Sequence, residues 1–290
     1  MSVAKTIGSY FSLIKFSHTV FALPFAMIGY FLAVKITGNI LDIKKLLLII
    51  LCMIFARSAA MAFNRYIDIE FDKKNPRTTK REIPAGIISM RAASIFVIIS
   101  SLAFIAVTYF INPICLYLSP VALAVVLGYS FTKRFTALCH VVLGIGLSLA
   151  PIGAYLAVTG RFDWLPLFFS FAVLFWVSGF DIIYSLQDEE FDKSQQLYSM
   201  PAWLGKSKAL RISELLHLLS FVCVVAAGLL GGFGLWYWIG VAVFAGMLIY
   251  QHSIVKPNDL SKVNLAFMTA NGIASVVFAV FVITDLFINH

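Results

Sequence analysis

Charge is what this chain has least of. Only 12% of its 290 residues are Asp, Glu, Lys or Arg, while 61% are hydrophobic. Soluble domains average about 25% charged and roughly 45–50% apolar residues. The mean hydropathy of +0.92 implies more apolar surface than one water-soluble core can hide, which excludes soluble, disordered and collagen-like chains. Apolar–polar alternation is also missing, so an outer-membrane barrel is excluded and helices remain the way to satisfy the backbone in lipid. Cysteine is scarce: Cys52, Cys115, Cys139 and Cys223 all sit in apolar runs without a Cys-x-x-Cys pair, which points to packed thiols, not a disulfide frame or a zinc site. His140, His217, His252 and His290 show no metal-ligand spacing. No Gly-x-x-x-x-Gly-Lys-Ser/Thr occurs, so a P-loop is unsupported. No small-residue cleavage site follows Lys5 and Lys15, and the first apolar run reads as a span, not a signal peptide.

What is present is an all-α polytopic membrane protein. At about 20 apolar residues per crossing, nine spans are predicted, at 13–34, 45–66, 92–111, 114–132, 137–158, 164–186, 210–231, 234–252 and 264–287. The net charge of +8 lies mainly between these runs, the positive-inside pattern, and does not argue for nucleic acid. The N-terminal segment and the connections after spans 2, 4, 6 and 8, edges included, hold 16 Lys and Arg, against 4 on the opposite side. That bias places the N-terminus and the longer loops in the cytoplasm. The chain reads as a single membrane domain over 1–290. A pseudo-repeat is expected over 1–132 and 137–252, plus a final helix at 264–287, because spans 2 and 6 each end in acids followed by a polar loop with a Pro-Ala step.

Eight of the 14 acidic residues fall in those two segments. In the first, Asn64, Asp68 and Asp72 are spaced by four, so each advances a helix face by only about 40° and the three form one stripe. Arg57, seven residues before Asn64, falls about 20° off the same line. In the second, Asp181, Asp188 and Asp192 are spaced seven and four apart, with Tyr184 and Gln187 nearby. Clustered carboxylates at a membrane boundary need a compensating cation. Hard oxygen ligands with an amide suit Mg²⁺, which takes one or two carboxylates and completes its shell with phosphate and water. Two such stripes facing each other could hold Mg²⁺ against a diphosphate. Basic groups stand where a diphosphate needs them, in Lys73-Lys74-Asn75-Pro76-Arg77-Thr78-Thr79-Lys80-Arg81 and at Lys133-Arg134 beside Tyr129. A solute or ion transporter is the alternative from another class, but it predicts acids near mid-span, and these lie at span ends.

These residues resemble the UbiA superfamily of intramembrane prenyltransferases over nearly the whole chain. The first signature stands as Asn64/Asp68/Asp72, then Asn75-Pro76-Arg77-Thr78, Arg81 and Pro84-Ala85-Gly86. The second stands as Asp181/Asp188/Asp192, and a Tyr-x-x-x-Lys motif matches Tyr129 and Lys133. Phe16-Ser-His-Thr-Val-Phe-Ala-Leu-Pro24 and Asp181-Ile-Ile-Tyr184-Ser-Leu-Gln187-Asp188 look most similar to the 4-hydroxybenzoate-type branch, which includes relatives acting on dihydroxynaphthoate in menaquinone synthesis. Arg81-Glu82-Ile83-Pro84 stands where many relatives have Arg-Pro before the glycine, so a small change in that loop is expected.

The resemblance implies nine helices around a central cavity capped by both motifs on the cytoplasmic side. It also implies transfer of a prenyl chain from a polyprenyl diphosphate to an aromatic hydroxy-acid acceptor in quinone synthesis, at a bacterial inner membrane. On this reading Asn64, Asp68, Asp72, Asp188 and Asp192 hold Mg²⁺. Asn64, Arg77, Arg81 and Lys133 bind the diphosphate, with Tyr129 and Lys133 in the catalytic set. Asp181 takes a hydrogen bond or proton from the acceptor hydroxyl. Lys15 and Arg57, with Asp181, are the candidates for binding the acceptor. No protein partner is deducible.

Overall fold

The structure, a computed structural model, describes residues 3–15, 21–38 and 41–289, with side chains of the first helix from Gly8 onward. Among these residues regular structure is helical, in thirteen α-helices: α1 (Val3–Leu13), α2 (Leu23–Thr37), α3 (Ile43–Ile67), α4 (Ile69–Lys74), α5 (Met90–Tyr109), α6 (Pro113–Thr132), α7 (Cys139–Thr159), α8 (Trp164–Ser185), α9 (Glu189–Ser194), α10 (Met200–Leu204), α11 (Lys206–Gly231), α12 (Leu235–Ile254) and α13 (Asn271–Ile288). A 3-10 turn, Leu186–Asp188, joins α8 to α9, and a π-helical turn, Leu265–Ala270, runs into α13.

Eight helical stretches are long and apolar enough to cross a membrane, among the described residues. Eight of the nine predicted spans coincide with them. The first does not form one helix over 13–34: α1 stops at Leu13, and α2 begins beside Pro24 and runs only 15 residues. Proline suits the first turn of a helix, where its missing N–H is not needed, but not a helix interior. Residues 16–20, including His18, lie outside the described residues.

Local signals set the other ends. Asp42 and Ser89 cap α3 and α5 through Lys45 N (3.0 Å) and Ala92 N (3.2 Å), each satisfying an amide the helix cannot. Asn112 caps α6 through Cys115 N (2.9 Å), and its amide donates to Leu156 O and Ala157 O at the end of α7. One side chain therefore ties together two helix ends.

Helix α8 is the axis. Buried side chains fill 61% of its apolar window, against 17% for the peripheral α6. Phe169, Trp176 and Phe180 of α8 join Phe25, Tyr155, Val224, Tyr237, Phe244 and Phe278 in one core shared by α2, α7, α11, α12 and α13. Helices α3 and α5, with α1, form a second apolar group around Ala62, Ile83, Ala93 and Val97. Small residues allow the close crossings on which helix association in lipid relies. A Cβ on Gly29 would stand 2.1 Å from Pro151 O, and one on Gly144 2.5 Å from Leu174 O.

At the end of α13, the fully buried Asp285 accepts from Gly234 N (2.8 Å), Tyr237 N (3.2 Å) and Asn289 Nδ2 (2.7 Å). A carboxylate at the first turn of α12 meets the positive end of that helix and its free amides. Asp285→Ala should lower stability by about 1–3 kcal/mol, the cost of buried donors left unpaired. A falling thermal midpoint in detergent, with the fold retained at low temperature, is the expected result.

Candidate functional site

The two acidic motifs meet at one end of the bundle, where α3 and α8 terminate. Neither stripe is an unbroken α-helix, contrary to the spacing argument. Asp68 ends α3 with φ −90° and ψ 11° before α4 begins, and the 3-10 turn separates Asp181 from Asp192. Carboxylates crowded on one straight helix would repel, and the breaks let each turn toward a base from another segment.

Four ion pairs result. The Arg77 guanidinium forks onto Asp188, with Nε 3.0 Å from Oδ1 and Nη2 bonded to Oδ2. Arg81 Nη1 lies 2.8 and 3.0 Å from the two Asp72 oxygens. Lys133 Nζ is 2.7 Å from Asp192 Oδ1, and Arg134 Nη2 is 3.4 Å from Asp68 Oδ1. The side chains of Asp72, Asp188 and Asp192 are 8, 9 and 0% exposed, whereas Arg77, Arg81 and Lys133 are 26–35% exposed. The acids are therefore the inner layer and the bases the outer one. Asn75 Nδ2 also donates to Asp188 (3.2 Å), and Asn64 Nδ2 to Asp68 (3.1 Å). Ser199 donates to Asp192 (2.8 Å), so the loop before α10 closes over the second motif.

The electrostatics follow from this layering. Burial and then the neighbouring Asp72 carboxylate push Asp68 above the usual carboxylate range, against the opposing pull of Lys133 and Arg134. Burial works against the charges on Arg77 and Lys133, but the hydrogen-bonded carboxylates of Asp188 and Asp192 outweigh it and hold both cations above their ordinary values.

Asp181 is set apart from this cluster. Its Oδ2 lies 2.7 Å from His140 Nδ1. His140 Nε2 accepts from Met200 N at 3.2 Å, so the proton sits on Nδ1 and is donated to Asp181. Tyr129 is within electrostatic range of Asp68, Asp181, Arg57 and Arg65. Arg57 donates to the backbone carbonyl of Lys15 (3.2 Å). Lys15 is exposed, with a left-handed backbone of φ 47°.

All the predicted metal and diphosphate residues are thus gathered, and Lys15 meets Arg57 through its carbonyl. Sequence reasoning passed over His140, because its partner is 41 positions away and its spacing signals no metal. It also passed over Asn75, Ser199 and the buried Arg65, which lies near Asp72, Glu82 and Arg81. The divergent Arg81-Glu82 step has a physical use: Ser12 of α1 donates to Glu82, which pins α1 to this loop.

Among the described residues no three His, Cys, Asp or Glu side chains converge closely enough to hold a metal alone. Mg²⁺ needs only one or two carboxylates when phosphate completes its shell. Asp68 and Asp72 are two such donors, and their mutual repulsion marks a place where a cation is welcome. The residues present fit the ion.

An all-helical membrane bundle with two opposed aspartate motifs, each acid paired with a base, defines the class. The model of the UbiA prenyltransferase family matches residues 22–273. The chain belongs to that family, whose members are transferases of prenyl groups. It is 31% identical over 234 residues to a 4-hydroxybenzoate octaprenyltransferase of Nitrosospira multiformis, covering 81% of this chain and 80% of that one. A protein of the same name from Nitrosomonas europaea is 31% identical over 85% of this chain and 84% of its own. Among solved structures, a UbiA homolog from Aeropyrum pernix superposes with a TM-score of 0.80 at 30% identity, over 94% of this chain and 98% of that one. A UbiA homolog from Archaeoglobus fulgidus bound to GPP and Mg²⁺ shares the fold, with a TM-score of 0.73 at 19% identity, over 97% of this chain and all of its own.

Arg77→Lys keeps the charge but loses the fork onto Asp188. A charge-assisted bond is worth about 1.5–3 kcal/mol, part of it screened at this partly exposed guanidinium, so the thermal midpoint in detergent should fall, and fall further in Arg77→Ala.

Proposed function

We propose that the chain transfers a polyprenyl group from a polyprenyl diphosphate to an aromatic hydroxy acid of the 4-hydroxybenzoate type, with Mg²⁺, as a step in respiratory quinone synthesis. The observation that carries this reading is the arrangement of four inward carboxylates, each matched by one outward base. The array is neutral as it stands, and each base is a partner that can be exchanged.

When bound, Mg²⁺ supplies Lewis-acid charge neutralisation of the leaving diphosphate. Asn64, Asp68, Asp72, Asp188 and Asp192 are the residues that would hold it. Arg77, Arg81 and Lys133 are the cations that would meet the diphosphate oxygens and stabilise the charge that develops as the C–O bond breaks. Tyr129 stands between the two motifs, where its hydroxyl can orient the departing group.

Asp181 accepts from His140, whose tautomer the Met200 amide fixes. Its second oxygen is positioned to accept the acceptor's hydroxyl proton as a hydrogen bond, which enriches the ring carbon that attacks the allylic cation. The new C–C bond forms there, and the ring proton leaves. Arg57, held against the Lys15 carbonyl, is the cation on this side for an acceptor carboxylate. The positive-inside bias puts the whole site on the cytoplasmic face with the N-terminus, and the bacterial relatives suggest an inner membrane.

Asp68→Asn and Asp188→Asn should each abolish transfer while leaving a folded, membrane-bound protein, and chelation of divalent metal should do the same reversibly. Turnover in either variant would refute the assignment. Membranes given Mg²⁺, polyprenyl diphosphate and either 4-hydroxybenzoate or a dihydroxynaphthoate should yield prenylated hydroxybenzoate by mass; product from the naphthoate alone would move the chain to the menaquinone branch. Asp181→Asn should lower kcat about 100-fold with KM for prenyl diphosphate near the parent's, and a parental kcat would remove Asp181 from the proton path.

A further inference from the structure

The segment that enters α13 is irregular for a reason that does not lie in its own sequence. Leu265-Ala-Phe-Met-Thr-Ala270 contains neither glycine nor proline, yet it winds as a π-turn. Such turns accommodate an extra residue, leave carbonyls poorly served and recur at functional positions. Here Asn271 serves those carbonyls. Its Nδ2 donates to Phe267 O (3.0 Å) and Ala266 O (3.3 Å), while its Oδ1 accepts from Trp176 Nε1 (2.9 Å) and Gln251 Nε2 (2.8 Å). All three side chains are fully buried. Every hydrogen-bonding position of the amide is filled, so the turn is locked to α8 and α12 at once.

The lock sets the direction of one ring. Phe267 lies 4.2 Å from the Tyr184 ring centroid at an interplanar angle of 30°, and edge-on to Phe21 (5.2 Å) and Phe180 (5.5 Å). Tyr184 in turn accepts a hydrogen bond from Arg77 Nη1 (3.0 Å), with the guanidinium 5.3 Å from its ring centroid. A regular α-helix in place of the π-turn would rotate Phe267 by about 100° relative to α13 and take it off Tyr184. The contacts thus run without a gap from a buried amide to the arginine that forks onto Asp188.

We propose that Asn271 and Phe267 are positioning residues for prenyl diphosphate: the π-turn holds Phe267 against Tyr184, and Tyr184 holds Arg77 at the angle needed to take the diphosphate. This rests on the diphosphate role given above to Arg77. The route runs from Phe267 through Tyr184 to Arg77, so the effect should fall on prenyl diphosphate.

The test uses full-length protein in detergent with Mg²⁺ and two readouts: calorimetric binding of geranyl thiolodiphosphate, which does not turn over, and KM for each substrate. Phe267→Leu should weaken probe binding and raise KM for prenyl diphosphate about tenfold, with the acceptor KM within twofold of the parent. Phe267→Tyr keeps the ring and should restore parental values. Asn271→Ala should match Phe267→Leu, and the double variant should be no worse than either, because both act through one ring. Folded Phe267→Leu that binds the probe as the parent does would overturn the proposal, as would losses that multiply to about a hundredfold in the double variant. If Asn271→Ala does not fold, the Leu and Tyr variants at 267 decide alone. A parent that binds the probe but transfers nothing would refute the transferase reading while the binding ratios still decide this one. A parent that does not bind it would sink both.

Discussion

Four carboxylates at one end of a lipid-soluble bundle, three buried and Asp68 a quarter exposed, are the constraint around which the rest of the chain is arranged. Leaving any of them unpaired there would be costly, and each is met by a base. Arg77 and Arg81 come from the loop after α4, and Lys133 and Arg134 from the turn between α6 and α7. Compensating those charges is therefore also what closes the cap. It draws the α4 loop across to α8 and α9, and the α6–α7 turn onto both motifs. The array is therefore a fold-forming interaction.

The same accounting governs the membrane interior, where a polar group without a partner is costly. Asp285 closes the α12–α13 hairpin, Asn271 locks the π-turn, and Ser213 and Ser220 of α11 bond Gly179 O and Ala172 O of α8 at 2.7 and 2.8 Å. These bonds hold α8 immobile between α11 and α13. An axis fixed in this way can carry Asp181, Tyr184 and Asp188 in constant register, which matters where a positioning error of about 1 Å degrades chemistry. His140 adds the final restraint, since it orients Asp181 through a tautomer dictated by a backbone amide.

Much of the site was legible because like charges at four-residue spacing are rare in an apolar chain. Asp68, Asp72, Asp188 and Asp192 stood out for that reason, and the bases of the Asn-Pro-Arg-Thr loop stood out beside them. The geometry that joins them was not legible. Helical spacing implied straight stripes, whereas repulsion within each stripe and attraction to distant bases break the helix at Asp68 and Leu186. Lys15 and Arg57, both candidates for the acceptor, meet through the Lys15 carbonyl, a contact that their charges do not foretell. His140 gave no signal because its partners lie 41 and 60 positions away, and Asn271 gave none because two of its partners, Trp176 and Gln251, come from other helices.

By itself the sequence determined that the chain crosses a membrane as helices, which side carries the excess of bases, and which acids form the two motifs. These follow from transfer free energies and helical period, properties of short segments. Only the tertiary structure decided which base meets which acid, where the first span breaks and why a π-turn precedes α13. Those outcomes depend on desolvation, which no residue experiences until its neighbours from the rest of the chain have closed around it.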